Sequence, residues 1–364
     1  MSGPHKPGDL IGDRYEIRAD VGEGGMQFVY AAYDRLIGRM VALKTPKNRS
    51  ATKRFKRSAI VAAKVNHPNI AKTLDYVRGE GESRYLIEEL IEGQDLHEAL
   101  LRRSGCLDPF SAAKVFHYLA KGVAAAHHAG VIHRDLKPTN VMVVGGYSLT
   151  EIKVTDFGIA KMADEELAEA AEGGTSTMTT SQTAVGALPY MAPEAIETPR
   201  TVGPPADTWS IGAMMFHLLT GAPPFGTGLA AVRKILEAAP PPMPPFLGSN
   251  PQFAPLAKEV ADIALLCLQK DPSLRPTADE IVERCGRLCY SLDTRAEGTV
   301  HRIDYGAYGF ISCNGPDVFF HTSSVYGPRA AKVGDSVVFA SYLGGGAHRA
   351  HPVVVVNPAP AVTI

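Results

Sequence analysis

The chain of 364 residues is 45% hydrophobic and carries 37 Lys plus Arg against 38 Asp plus Glu, a formal net charge of -1. Its length supports a sizeable buried core spread over roughly two or three domains. A balance this close to neutral selects no partner by overall charge, so any basic patch is local.

The N-terminal MSGPHKPGD is read as a flexible leader over residues 1–9. It lacks the apolar core of a signal peptide, and no run of roughly 18 apolar residues follows, so a cytoplasmic protein without a membrane span is expected. Residues 15–92 alternate strand-like pieces (YEIRADV, QFVYAAYD, MVALKT, YLIEEL) around one helical segment at 53–65. From Leu96 to about Tyr290 the pattern turns helical, with apolar residues recurring at three and four. Within it, the run from Ala163 to Ala184 is acidic and then rich in Thr and Ser, as in a loop, and PPPMPPF at 240–246 is an extended connector. From Gly298 the texture changes to short strands (TVHRI, YGFIS, DVFFH, SVVFAS, VVVV) separated by Gly, Pro, Asn and Asp, which predicts a second, all-β domain. The five cysteines, Cys106, Cys267, Cys285, Cys289 and Cys313, are expected to be reduced core thiols with no metal among them.

VGEGGMQFVYAAYD places Gly22 and Gly24 where backbone N–H groups can lie over phosphates, and VALK puts Lys44 on a strand about twenty residues later. Each signal alone is weak. VIHRDLKPTNVMV is stronger, because it sets a carboxylate (Asp135), a cation (Lys137) and an amide (Asn140) within six residues, a proton acceptor, a phosphate clamp and a metal ligand. VTDFGIA then supplies Asp156 at the end of a strand, a second carboxylate for a cation that bears phosphates.

With HRDLKPTN and DFG at this spacing, residues 10–291 resemble the eukaryotic-type Ser/Thr protein kinases, the Hanks-type kinases of bacteria. The resemblance implies an α+β bilobal fold, with a small β-rich N-lobe (about 10–93), a large helical C-lobe (about 94–291) and an activation segment over about 156–194. It implies ATP and Mg²⁺ as cofactors and a Ser/Thr protein substrate. Asp135 would take or orient the proton of the acceptor hydroxyl, Lys137 would neutralise the transferred phosphoryl group, and Asn140 with Asp156 would hold Mg²⁺. Gly22, Glu23, Gly24, Val29, Ala42, Lys44, Glu88 and Glu89 would line the ATP site. Glu194 of YMAPE would pair with Arg275 of DPSLRPTADEI, and Asp207 of DTWSIG would be the buried aspartate of a central helix. Autophosphorylation is expected at one of Thr175, Ser176, Thr177, Thr179, Thr180, Ser181 or Thr183, with the phosphate docking on Arg134.

Three positions depart from the family pattern. Ser58 stands where the helix glutamate that pairs with Lys44 belongs, and no Asp or Glu occurs between Arg35 and Leu74. Gln27 replaces the third glycine of the loop, and Ala187 replaces a threonine that supports the catalytic loop. If Glu89 is the hinge glutamate, Glu88 occupies the usually apolar position at the back of the nucleotide pocket. It is expected to pair with Lys44 there, or to face solvent if the strand is slipped by one.

In the last domain, period-two alternation puts Tyr308 with Phe310, and Phe319 with His321, on one face, while Ile311, Val318 and Phe320 supply a core. With AYGFI, DVFFHTSSV and KVGDSVVF, residues 297–357 resemble a cold-shock domain, a small five-stranded antiparallel OB-type β-barrel, ahead of a tail at 358–364. The resemblance implies a platform of Tyr308, Phe310, Phe319 and His321 for single-stranded RNA or DNA, although the family's exposed tryptophan is Arg302 here. Two functions stay open at this point: an active kinase, or a pseudokinase scaffold that binds nucleotide as a switch and uses the barrel for nucleic-acid or protein recognition.

Overall fold

A computed structural model describes residues 3–23, 27–47, 55, 59, 60, 62–79, 83–157 and 186–358. Gly24, Ser58 and the candidate phosphorylation sites Thr175, Ser176, Thr177, Thr179, Thr180, Ser181 and Thr183 lie outside the described residues, as does most of the basic helix expected at 53–65. Phe55, Ala59, Ile60 and Ala62 of that helix are described and helical.

Strands β1 (Leu10–Ile11), β2 (Tyr15–Glu23), β3 (Gln27–Asp34), β4 (Arg39–Pro46), β5 (Thr73–Arg78) and β6 (Arg84–Glu89) form one antiparallel sheet in the order β1-β2-β3-β4-β6-β5. Alternation divides its residues between two faces. Ile17, Tyr30, Ala32, Val41, Leu43, Tyr85 and Ile87 make one apolar core. The opposite parity puts Gln27, Val29, Ala42, Lys44 and Glu88 together on the other face, with Val29 opposite Lys44 and Ala42 opposite Glu88. Lys44 and Glu88 are therefore diagonal neighbours on adjacent strands, within reach of long side chains.

The expected leader is not free. The His5 ring lies 3.0 Å from the Tyr85 hydroxyl, and Gly8 donates its N–H to the Ile17 carbonyl at 2.9 Å. These contacts extend the sheet edge rather than leaving a detached tail.

The second lobe is built on helices α1 (Pro109–His128), α2 (Pro205–Thr220), α3 (Ala254–Cys267) and α4 (Ala278–Gly286), together with a small sheet of β7 (Gln94–Asp95), β8 (Val141–Val144) and β9 (Glu151–Val154). Helix α1 starts where its sequence allows it to. Asp108 caps it by accepting from the N–H groups of Phe110 and Ser111, and Pro109 in the first turn has no N–H to satisfy. Helix α2 ends at Gly221, which takes the left-handed conformation at φ +85° and donates its N–H to the His217 carbonyl. Trp209 of α2 is fully buried and stacks on Phe225 at 5.4 Å. Among the described residues no helix is long and apolar enough to cross a membrane.

The C-terminal strands β10 (Ala296–Asp304), β11 (Tyr308–Ser312), β12 (Val318–His321), β13 (Val325–Tyr326), β14 (Ser336–Tyr342) and β15 (Arg349–Val356) run in the order β12-β11-β10-β14-β15-β13. A further β12–β15 pairing closes five of them into a barrel around Val300, Ile311, Phe320, Val337, Phe339 and Val353. The barrel expected to be antiparallel closes through a parallel contact, Phe319 against Arg349, and the short β13 adds a second parallel pair to β15. The reason is topological: β12 and β15 are joined by a long connection through β14, which returns the chain in the same direction.

The barrel is docked rather than tethered. Arg295 reaches the capping carboxylate of Asp108 at 3.2 Å, Arg103 pairs with Glu297 at 2.7 Å, and the Asn357 N–H donates to the Arg103 carbonyl at 2.7 Å. Tyr326 packs edge-on against Phe246 and Phe253, and His351 stacks on Phe253 at 5.0 Å. Two of the five expected core thiols are not in the core: Cys289 is exposed and Cys313 half-buried, whereas Cys106, Cys267 and Cys285 are buried. Burial pushes the Cys106 thiol up to about 11.

Candidate active site

The loop between α1 and β8 is shaped by a buried carboxylate. Asp207, fully buried at the start of α2, accepts from the backbone N–H groups of His133 and Arg134, both at 2.8 Å, and contacts His127 Nε2 at 2.9 Å. A carboxylate that holds backbone N–H groups in a dry site fixes the loop, because losing it would leave those donors unsatisfied. Arg134 then takes φ +68°, a left-handed turn that redirects the chain. His133, fully buried, bonds through Nε2 to the Thr155 carbonyl at 2.8 Å and packs its ring on Phe157. These contacts tie the loop to the end of β9, where Asp156 sits at φ +62°.

The loop presents Asp135 between two donors. Lys137 Nζ lies 2.8 Å from Asp135 Oδ2, and Asn140 Nδ2 donates to the same oxygen at 3.0 Å and to the Asp135 carbonyl at 2.8 Å. Lys137 and Asn140 are buried, while Asp135 keeps partial exposure. The Thr155 N–H donates to the Asn140 carbonyl at 2.9 Å, which sets Asn140 beside the segment that carries Asp156.

Across the cleft, Lys44 Nζ lies 2.6 Å from Glu88 Oε2 and 2.8 Å from Asp156 Oδ1. Glu88 is buried, so it does not face solvent. Gln27 Nε2 donates to the same Asp156 Oδ1 at 2.7 Å. One ammonium is thus shared by two carboxylates. Burial works to lower the Lys44 amine, and Asp156 and Glu88 override it, so Lys44 is held above the ordinary lysine range. Burial raises the Glu88 carboxyl more than Lys44 lowers it. Burial also acts to raise Asp156, but Lys44 and the Gln27 amide outweigh it and hold Asp156 below the usual carboxylate range. Of the two carboxyl groups that this ammonium serves, it is Asp156 that the contacts hold toward its charged form.

The Asp156 carboxylate, with the neutral amide oxygen of Asn140 nearby, fits a divalent cation, which takes oxygen donors. Asp156 and Asn140 are the residues that would hold Mg²⁺.

Val29 and Ala42 lie on the same sheet face as Lys44, and Gly22 lies at the end of β2 beside them. Glu89 does not turn into the cleft. Its carboxylate accepts from the Lys72 N–H at 2.8 Å and pairs with Lys153 at 2.7 Å, bracing β6 against β9. Away from the cleft, Arg275 and Glu194 form a two-pronged pair at 2.6 and 2.8 Å, with the guanidinium over the Trp209 ring. Ala187, just before the turn at Leu188–Tyr190, carries only a methyl group and cannot hydrogen-bond the loop through its side chain.

On the barrel, Tyr308, Phe310 and Phe319 are half-buried and His321 is exposed. Tyr308 stacks on Phe319 at 5.6 Å, and Phe310 meets Phe319 edge-on at 5.8 Å. Arg302 lies over the Phe310 ring at 4.5 Å and Arg349 near Phe319 at 6.0 Å. A Cβ on Gly309 would stand 2.6 Å from the Phe320 ring, so a glycine here lets the outer rings sit above a packed core.

Sequence reasoning flagged position 27 only as a lost glycine and missed its bond to Asp156; the signal was an amide in place of a hydrogen. The bracing roles of His133 and Glu89 left no signal of their own.

Residues 15–285 match the family model for the protein kinase domain. The serine/threonine-protein kinase PknA of Mycobacterium tuberculosis is 32% identical over 297 residues, covering 77% of this chain and 63% of that protein. A probable serine/threonine-protein kinase of Clostridium perfringens is 33% identical, covering 76% of this chain and 38% of that protein. The chain therefore spans 38 to 63% of the length of these curated relatives. Among solved structures, Rad53 1–466 in complex with AMP-PNP superposes with a TM-score of 0.58 at 25% identity, covering 74% of this chain and 64% of that one.

Proposed function

Because the chain belongs to the protein kinase family, we propose that it is an active serine/threonine kinase that transfers the γ-phosphoryl group of ATP to protein hydroxyls, itself included. The observation that supports this most is Asp135, partly exposed and flanked by Lys137 Nζ and Asn140 Nδ2, beside the segment carrying Asp156. In the transfer, an acceptor hydroxyl oxygen forms the new bond to phosphorus as the bond to the β-phosphate oxygen breaks, and the hydroxyl proton passes to Asp135. Lys137 stabilises the charge on the moving group, and Lys44 orients the α and β phosphates. Mg²⁺, when bound, neutralises the phosphate oxygens.

Incubated with γ-labelled ATP, the wild-type protein is expected to label a serine- and threonine-rich acceptor and its own 175–183 segment, mapped by mass spectrometry. No label on either supports the scaffold reading instead.

For the barrel, the ring cluster of Tyr308, Phe310 and Phe319 with Arg302 and Arg349 above it favours single-stranded RNA or DNA, in keeping with the likeness to cold-shock domains. Bases stack on such rings with about 1–3 kcal/mol each. Phe319→Ala is expected to weaken binding of a fluorescent oligonucleotide roughly 10- to 100-fold by anisotropy at fixed salt. No binding by the wild type leaves a protein partner for this face.

A further inference from the structure

We infer that Gln27 is a positioning residue for the Asp156 carboxylate, and that its side-chain oxygen accepts from the water shell of the divalent cation bound there. The inference rests on the kinase reading of Asp156 and goes beyond it, since position 27 otherwise belongs to a glycine that contributes no side chain.

The geometry is specific. Gln27 opens β3 on the cleft face and is only 5% exposed. Its Nε2 donates to Asp156 Oδ1 at 2.7 Å, the same oxygen that Lys44 takes at 2.8 Å. Among the described residues, both donors fall on Oδ1, which leaves Oδ2 for a cation. The amide cannot be turned over, because that would set its oxygen against the carboxylate. Gln27 Oε1 is consequently fixed on the far side of the amide, buried and without a hydrogen-bond partner among the described residues.

A buried amide oxygen without a donor is unfavourable unless binding supplies one. A hydrated cation would do so where its entry opens the amide oxygen, closed to solvent in this structure, to one of its waters: these are strong donors, and Mg²⁺ usually retains several of them when it binds through one or two carboxylates. The Asp156 carboxylate, which Lys44 meets through Oδ1 alone, draws a cation to the same place. The amide donor also offsets part of the charge on Asp156 without adding one. Gln27 would thus do for Asp156 what no glycine can: hold the carboxylate by its inner oxygen and meet the cation's water with the other end of the same amide.

The test is calorimetric binding of ADP to the full chain as a function of Mg²⁺, with an EDTA arm, for wild type, Gln27→Leu and Gln27→Glu. Leucine keeps the bulk and loses both polar atoms, while glutamate keeps an acceptor and loses the donor. In Gln27→Leu, the Mg²⁺ concentration for half-maximal tightening is expected to rise roughly tenfold, with ADP affinity in EDTA unchanged within about twofold. In Gln27→Glu it is expected to shift as well, with ADP affinity in EDTA falling as a second carboxylate faces Asp156.

Equal losses of ADP affinity with and without Mg²⁺ in Gln27→Leu would overturn the inference, since Gln27 would then only shape the loop. An unchanged Mg²⁺ requirement in Gln27→Leu would overturn it too. A wild type whose ADP affinity ignores Mg²⁺ would remove the kinase reading of Asp156 and this inference together, so the two failures are distinguishable.

Discussion

Asp135→Asn is expected to lower the rate of phosphoryl transfer by about 10²- to 10⁴-fold, the usual contribution of a positioned general base. The substitution keeps the shape of the side chain. It removes the carboxylate that Lys137 Nζ approaches at 2.8 Å and that Asn140 Nδ2 donates to at 3.0 Å. The lysine then loses its charge partner, and the acceptor hydroxyl loses the group proposed to take its proton. Asp135 stands on the C-lobe loop, apart from Lys44 and the sheet face that carries Val29 and Ala42. Nucleotide affinity measured by fluorescence should therefore change by less than about threefold, against the far larger loss in rate. Initial rates with γ-labelled ATP and a saturating acceptor check the first quantity. Wild-type and variant rates that coincide would assign any labelling to a contaminant.

Glu88→Leu carries the second large effect, about 10- to 100-fold in kcat/KM for ATP. Lys44 has two partners in the structure, Glu88 at 2.6 Å and Asp156 at 2.8 Å. Asp156 also takes the Gln27 amide and would share its charge with a cation when nucleotide binds, so Glu88 is the partner that answers to the lysine. A hydrogen bond between charged groups is worth about 1.5–3 kcal/mol, and 1.36 kcal/mol is tenfold in rate. Leucine restores the usual apolar back wall and removes that bond. A carboxylate placed at position 58, where the resemblance to protein kinases implies the partner of Lys44, should compensate. Glu88→Leu with Ser58→Glu is accordingly expected to recover most of the loss, whereas Ser58→Glu alone should change little. Equal kcat/KM in Glu88→Leu and wild type would show that the buried pair is a structural contact without a catalytic share.

The position of Glu88 shows how far the sequence reaches. Once the strands are paired, period-two alternation puts Lys44 and Glu88 on the same face, and the lack of any carboxylate between Arg35 and Leu74 leaves Lys44 without the usual partner. The second fact is read from residue order; the first needs the β4–β6 register, so the sequence reached Glu88 only through the kinase resemblance and left it facing Lys44 or, with the strand slipped by one, solvent. The bond from Gln27 to Asp156 joins residues 129 apart and depends on how closely the two lobes approach, which no local pattern encodes. His133, which links the loop carrying Asp135 to Thr155, is equally silent, since a buried histidine has the same letter as an exposed one.

The barrel makes the same division. Alternation placed Ile311, Val318 and Phe320 inside and Tyr308, Phe310 and Phe319 toward the surface, because the two faces of a strand are set by parity alone. Its docking onto the C-lobe was not legible. It uses Asp108, Phe253, Arg295, Tyr326 and His351, which come from separate segments and meet only when both cores are formed.

By itself the sequence determined the motif spacing from which Asp135, Lys137, Asn140 and Asp156 are proposed for the chemistry, and the two-residue alternation within each strand, since both are properties of the chain. Only the tertiary structure decided the partners: that one lysine is divided between two carboxylates, that an amide holds the second of them, and that the barrel is fastened to the lobe that carries Asp135. Those outcomes depend on distances between segments remote in sequence, and on burial, which makes each unpaired polar group costly enough to select its neighbour.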